Sequence, residues 1–132
     1  MNRALMLMLV VPVLALGEEA KPATAGETQV LEAKIATGVK DRMPEGEGAT
    51  FKADVGKLYC WTKVKGAEGS KITHAWFKGD EEMGKVELTL KAATARTWSS
   101  KTITPDMKGE WRVDVLGPDG ATLQTLKFTV EG

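Results

Sequence analysis

From Leu31 onward, apolar residues fall at every second position in short runs, and glycine, proline or aspartate closes most of those runs. A return of two is that of a strand with one dry face and one wet face, and no ten-residue stretch here shows the 3.6-residue return of a helix. The pattern restricts this part of the chain to sheets. Leu31, Ala33 and Ile35 are expected inward, with Glu32 and Lys34 in water; Val86, Leu88 and Leu90 alternate with Glu87, Thr89 and Lys91.

Further runs obey the same rule. In Lys57 to Val64, Leu58, Cys60, Thr62 and Val64 share one side, and Tyr59 and Trp61 the other. Ile72 to Phe77 and Arg96 to Ile103 read as strands. Trp111, Val113 and Val115 alternate with Arg112 and Asp114, and Leu126, Phe128 and Val130 with Lys127 and Thr129. Gly117-Pro118-Asp119-Gly120 between the last two runs is a tight reversal. Gly38 to Ala49 has breakers and no period, so a long loop is expected, pinned to the body by Phe51. About seven short strands in roughly a hundred residues predict an all-β fold, an antiparallel immunoglobulin-like β-sandwich, with a barrel as the alternative.

The chain has 132 residues, and its start has the pattern of an export signal. Arg3 supplies a positive charge, Ala4 to Leu16 is almost wholly apolar, and Ala15-Leu16-Gly17 offers small residues for cleavage after Gly17. The apolar run is shorter than the roughly twenty residues of a membrane span and contains Pro12, so no span is expected after cleavage. Residues 18–29 read as a flexible linker and 30–132 as the β-domain. A periplasmic or secreted location follows as an expectation.

Lysine plus arginine and aspartate plus glutamate each total 18, so no polycationic surface is on offer for nucleic acid. Cys60 is the only cysteine, which excludes an internal disulfide and predicts a buried apolar filler. Cys60 on the second run and Trp76 on the third hold the relative places of the cysteine and tryptophan of an immunoglobulin core, with Val113 and Val115 where a partner cysteine would stand.

Of the residues able to carry chemistry, His74 is the single histidine, and with one cysteine and no spaced ligand pairs neither a metal nor another cofactor is expected. Ser99 and Lys101 share a strand face and resemble a serine–lysine nucleophile pair, but a nucleophile elbow and an oxyanion hole are missing from the pattern, so the chain is read as no enzyme. Four tryptophans, Trp61, Trp76, Trp98 and Trp111, each bring on the order of 4–6 kcal/mol if fully buried. Trp76, Trp98 and Trp111 are expected in the core, and Trp61 partly exposed as a stacking surface. Arg96 is expected beside an indole ring or an acid. Arg42 lies in a loop free of core duties and is a candidate for contact.

Asp41-Arg42-Met43-Pro44, Tyr59-Cys60-Trp61-Thr62, His74-Ala75-Trp76, Arg96-Thr97-Trp98-Ser99-Ser100-Lys101 and Gly109-Glu110-Trp111-Arg112-Val113 together resemble a bacterial domain of unknown function, number 2914. Met43 and Ala75 depart from that pattern, which has an acid and a larger polar residue there. The resemblance implies an exported or membrane-tethered β-domain without an assigned activity.

Three functions are therefore weighed. In the first, His74, Arg96, Ser99 and Lys101, with Trp61 and Arg42, form one polar-aromatic patch of a non-catalytic module that binds a protein or a cell-envelope glycan. In the second, the same residues form a buried cluster that stitches two sheets and takes no ligand. The third is a Ser99–Lys101 hydrolase. Nothing in the sequence specifies an oligomeric state.

Overall fold

The computed structural model describes residues 28–132, so the expected export signal and most of the expected linker lie outside the described residues. Ten strands follow one another among those residues. They are β1 (Gln29–Ala36), β2 (Gly38–Lys40), β3 (Met43–Glu45), β4 (Thr50–Lys52), β5 (Lys57–Lys65), β6 (Lys71–Lys78), β7 (Glu81–Thr89), β8 (Thr94–Thr102), β9 (Gly109–Leu116) and β10 (Thr122–Glu131). One 3-10 turn, Pro105–Met107, precedes β9.

One sheet runs β1-β5-β8 and the other β4-β10-β9-β6-β7, with β2 and β3 paired as a separate hairpin. Of the seven long strands, the first, second and fifth therefore face the third, fourth, sixth and seventh, an immunoglobulin-like sandwich. All long-strand pairings are antiparallel; the short β4 runs parallel to β10. At the β9–β10 reversal, Gly120 N–H donates to the Gly117 carbonyl at 2.9 Å, with Pro118 at the second position and Gly120 at φ 87°. That is the turn chemistry a proline-aspartate-glycine sequence favours.

The core lies between the sheets in two apolar blocks. Ile35, Phe51, Leu58, Cys60, Trp76, Trp111, Val113, Phe128 and Val130 belong to one. Val64, Ile72, Leu90, Ala95 and Val115 belong to the other. Phe128 ties the first block together, stacked on Trp111 at 5.8 Å and edge-on to Trp76 and Phe51. Val113 stands directly opposite Trp76 in the β9–β6 ladder, so valine fills space beside the Cys60–Trp76 pair. Burial pushes the Cys60 thiol far up, and it behaves as a hydrophobe.

Three expectations are corrected. Leu31 is 46% exposed, because β1 carries a bulge between Val30 and Glu32 that inserts one residue and reverses the parity of the strand. Val30, not Leu31, packs on the core. The stretch from Gly38 is not a plain loop: β2 and β3 close over the two-residue turn Asp41-Arg42, both at positive φ, 53° and 65°. Both central residues of a type I′ turn need that conformation, which costs an arginine on the order of 1 kcal/mol. Trp61 is 1% exposed rather than open, and Trp98 is the half-buried indole.

Candidate functional site

Strand β8 divides the sequence-predicted patch. By the period of two, Arg96, Trp98 and Ser100 face away from the sandwich, while Thr97, Ser99 and Lys101 face into it; Ser99 stands opposite buried Cys60, and Trp98 opposite Trp61. The six candidates therefore occupy two separate places. His74, Ser99 and Lys101 are between the sheets; Arg42, Arg96 and Trp61 are on the outer side of the three-stranded sheet.

The inner place is a continuous hydrogen-bonded layer that separates the two apolar blocks. Trp76 Nε1 donates to Ser99 Oγ at 3.1 Å, Ser99 Oγ and His74 Nδ1 are 2.7 Å apart, and His74 Nε2 lies 3.2 Å from Thr62 Oγ1. Thr62 Oγ1 in turn donates to the Thr97 carbonyl at 3.1 Å. Thr97 Oγ1 lies 3.1 Å from the same Thr62 oxygen. With Thr62 donating to the carbonyl, it accepts from His74 Nε2–H, and Nδ1 accepts from Ser99, a tautomer that gives the Ser99 proton an acceptor. Burial pushes His74 down to about 4, so it is neutral near pH 7.

A serine beside an imidazole is also how a nucleophile is activated. Here, however, Ser99 is 5% exposed, its oxygen accepts an indole N–H, and a threonine rather than a carboxylate stands behind the imidazole. Lys101 does not turn to Ser99. Its Nζ donates to the Met83 carbonyl at 2.9 Å and so ties β8 to β7 across the gap between the sheets. The layer holds strands of both sheets together, β5 and β8 on one side and β6 on the other. Thr62 belongs to it and was legible as the single polar residue in the inward row Leu58, Cys60, Thr62, Val64.

The outer place is built by the β2–β3 hairpin folded over the indoles of β5 and β8. Trp61 Nε1 donates to the Arg42 carbonyl at 2.9 Å, which fixes the strained turn to the sheet. The Arg42 guanidinium lies 5.8 Å from the Trp98 ring centroid, within cation–π reach. Among the described residues Arg96 makes neither of the contacts expected of it; its Nη1 meets Met43 Sδ at 3.2 Å. Beside the hairpin opens a recess of about 390 Å³, lined by Glu32, Arg42, Met43, Trp61, Lys63 and Arg96 with Thr94 and Ala95. Three cations face one carboxylate there. Among the described residues none of the three cations has a carboxylate within 4.0 Å, whereas Lys34 next door is paired to Glu47 at 3.1 Å. Lys63 was missed because only the β5–β8 register, which sets it opposite Arg96, brings it to this site.

Among the described residues no three His, Cys, Asp or Glu side chains converge as a metal site, and no helix is long and apolar enough to cross a membrane.

Comparison with known proteins adds the following. No curated protein matches the sequence. Among solved structures, a β-glucosidase from Kluyveromyces marxianus in complex with glucose is similar at a TM-score of 0.43 and 14% identity, over 80% of this chain. The chain spans 14% of that enzyme's length. The family model for a protein of unknown function, DUF2914, matches residues 69–130, which include the His74-Ala75-Trp76, Arg96-to-Lys101 and Gly109-to-Val113 pieces but neither the hairpin nor β5. The family resemblance read from the sequence is thus supported by the DUF2914 model over residues 69–130.

Proposed function

We propose that this chain is an exported, non-catalytic β-sandwich module that captures an anionic partner at the cell envelope, protein or glycan, through the recess under the β2–β3 hairpin. The observation that carries this reading is the set of Arg42, Lys63 and Arg96 on one recess, without acidic partners among the described residues. Three cations gathered on one recess against a single carboxylate, Glu32, raise the local positive potential and draw anions to it. The recess falls within the 300–1,000 Å³ range of small binding sites.

A stacking platform for a neutral sugar has less support. Trp61 is covered, and Trp98 already has Arg42 over its ring. The non-catalytic part of the proposal rests on the inner layer, where His74 and Ser99 are buried and they and the half-buried Lys101 are all engaged. The exported location rests on residues 1–17.

The test uses the immobilised domain and an isolated bacterial envelope fraction. Arg42→Glu with Arg96→Glu should abolish capture while the melting curve stays close to that of the native protein, and capture by the native protein should fall steeply as salt is raised. Capture that survives both the reversal of charge and high salt removes the recess from consideration.

A further inference from the structure

The recess does not end in a closed wall. Its floor includes Thr94, Ala95 and Arg96, the first residues of β8, and β8 is the last strand of its sheet. No backbone hydrogen bond joins residues 94–102 to anything but β5 among the described residues. One row of ladder donors and acceptors along β8 is therefore unpaired, and it borders the recess at Thr94–Arg96, a template for another extended chain.

The edge is not uniform along its length. From Lys101 the strand is blocked, because this inward-facing amine bridges to the Met83 carbonyl and closes the gap between the sheets. Inward-pointing charges of this kind are a common protection of strand edges. The residues before it, Thr94 to Ser99, include no proline and no inward-facing charge. They leave a window of six residues, with Arg96 pointing outward in its middle. The neighbouring open edge, β7, has the opposite balance, three glutamates (Glu81, Glu82 and Glu87) to one lysine (Lys85), and its Met83 carbonyl is already occupied.

We infer that the occupant of the recess is an extended acidic segment of a partner protein, added as a further strand along Thr94–Ser99, with a carboxylate side chain seated among Arg42, Lys63 and Arg96. The inference rests on the proposed reading of the recess and specifies its ligand. Backbone pairing supplies the register-independent part of the affinity, and one carboxylate every second residue meets Arg96 across the new pair. Charge favours this edge over β7, where Glu81, Glu82 and Glu87 outnumber Lys85.

The test employs the full chain and four probes: an alternating Glu-Val octapeptide, the same peptide with alternate amides N-methylated, an alternating Lys-Val octapeptide, and an oligogalacturonate of equal charge. Binding is followed by calorimetry, and amide hydrogen exchange of residues 94–99 by NMR. The Glu-Val peptide is expected to bind and to slow exchange at alternate residues of Thr94–Ser99. Methylation should weaken it at least tenfold, and Arg96→Glu by a similar factor; Lys-Val should not bind. If both acidic probes bind but methylation is without effect and exchange along β8 is unchanged, strand addition is wrong while the anionic recess stands. If oligogalacturonate alone binds, the partner is a glycan and the inference is overturned. If neither acidic probe binds, the recess reading itself falls, and the inference with it.

Discussion

Replacement of Ser99 by alanine is the sharpest probe of the inner layer. The hydroxyl accepts from Trp76 Nε1 at 3.1 Å and meets His74 Nδ1 at 2.7 Å. Its removal leaves an indole N–H and an imidazole nitrogen without partners in the same buried place. Each orphaned group costs about 1–3 kcal/mol, and the two share one environment, so the joint loss is about 3 kcal/mol rather than the full sum. The space vacated is that of one oxygen atom, too small to admit a water that would repair the network. For a domain of this size such a loss lowers the melting temperature on the order of 12 °C or more. Urea titration followed by tryptophan fluorescence gives the number directly, with Ser100→Ala, the exposed neighbour, as a control expected to stay within about 0.5 kcal/mol. A Ser99→Ala midpoint shift worth less than about 1 kcal/mol at unchanged slope would show that the layer is not held by these bonds.

Acid should find His74. Its folded value of about 4 lies below the ordinary 6.5, so the unfolded chain takes up the proton first as pH falls; the stability it contributes is complete above about 6.5 and lost through about 4. The whole displacement is worth on the order of 3 kcal/mol. In a His74→Gln variant the stability curve should lack that slope, and parallel curves for the two proteins would contradict the assignment. Trp61→Phe removes the bond from Nε1 to the Arg42 carbonyl and should speed amide exchange in residues 38–45, at about 1 kcal/mol of stability. Unaltered exchange there would mean the hairpin is held by other contacts. Cys60 should resist a thiol reagent in the folded protein and react promptly in denaturant; prompt labelling of the native chain would place it outside the core.

What the sequence could tell about the site follows from one geometric rule and its reach. Within a strand, alternation settles which residues share a face, and it put Leu58, Cys60, Thr62 and Val64 together correctly. The same rule separates Arg96 from Ser99, three residues apart, so a single patch containing both was excluded by the pattern itself. Alternation cannot say which face is the inner one when both carry bulk. On β5 and β8 each side holds large or polar groups, and Trp61, expected to be partly exposed, does lie on the side away from the core. A hairpin from elsewhere in the chain covers it.

The bulge at Leu31 shows the other boundary. One inserted residue inverts a strand's parity, and nothing in Val30-Leu31-Glu32 marks the insertion except the ladder it forms with β5. The amino-acid order alone determined the seven long strands, most turns between them and the buried cysteine, because these depend on contacts close in sequence and on the period of the backbone. Tertiary structure decided that His74 meets Ser99 from the opposite sheet, and that Arg42, Lys63 and Arg96 border one recess. Such neighbours are set by register and by the packing of one layer on another, and neither is written in any single strand.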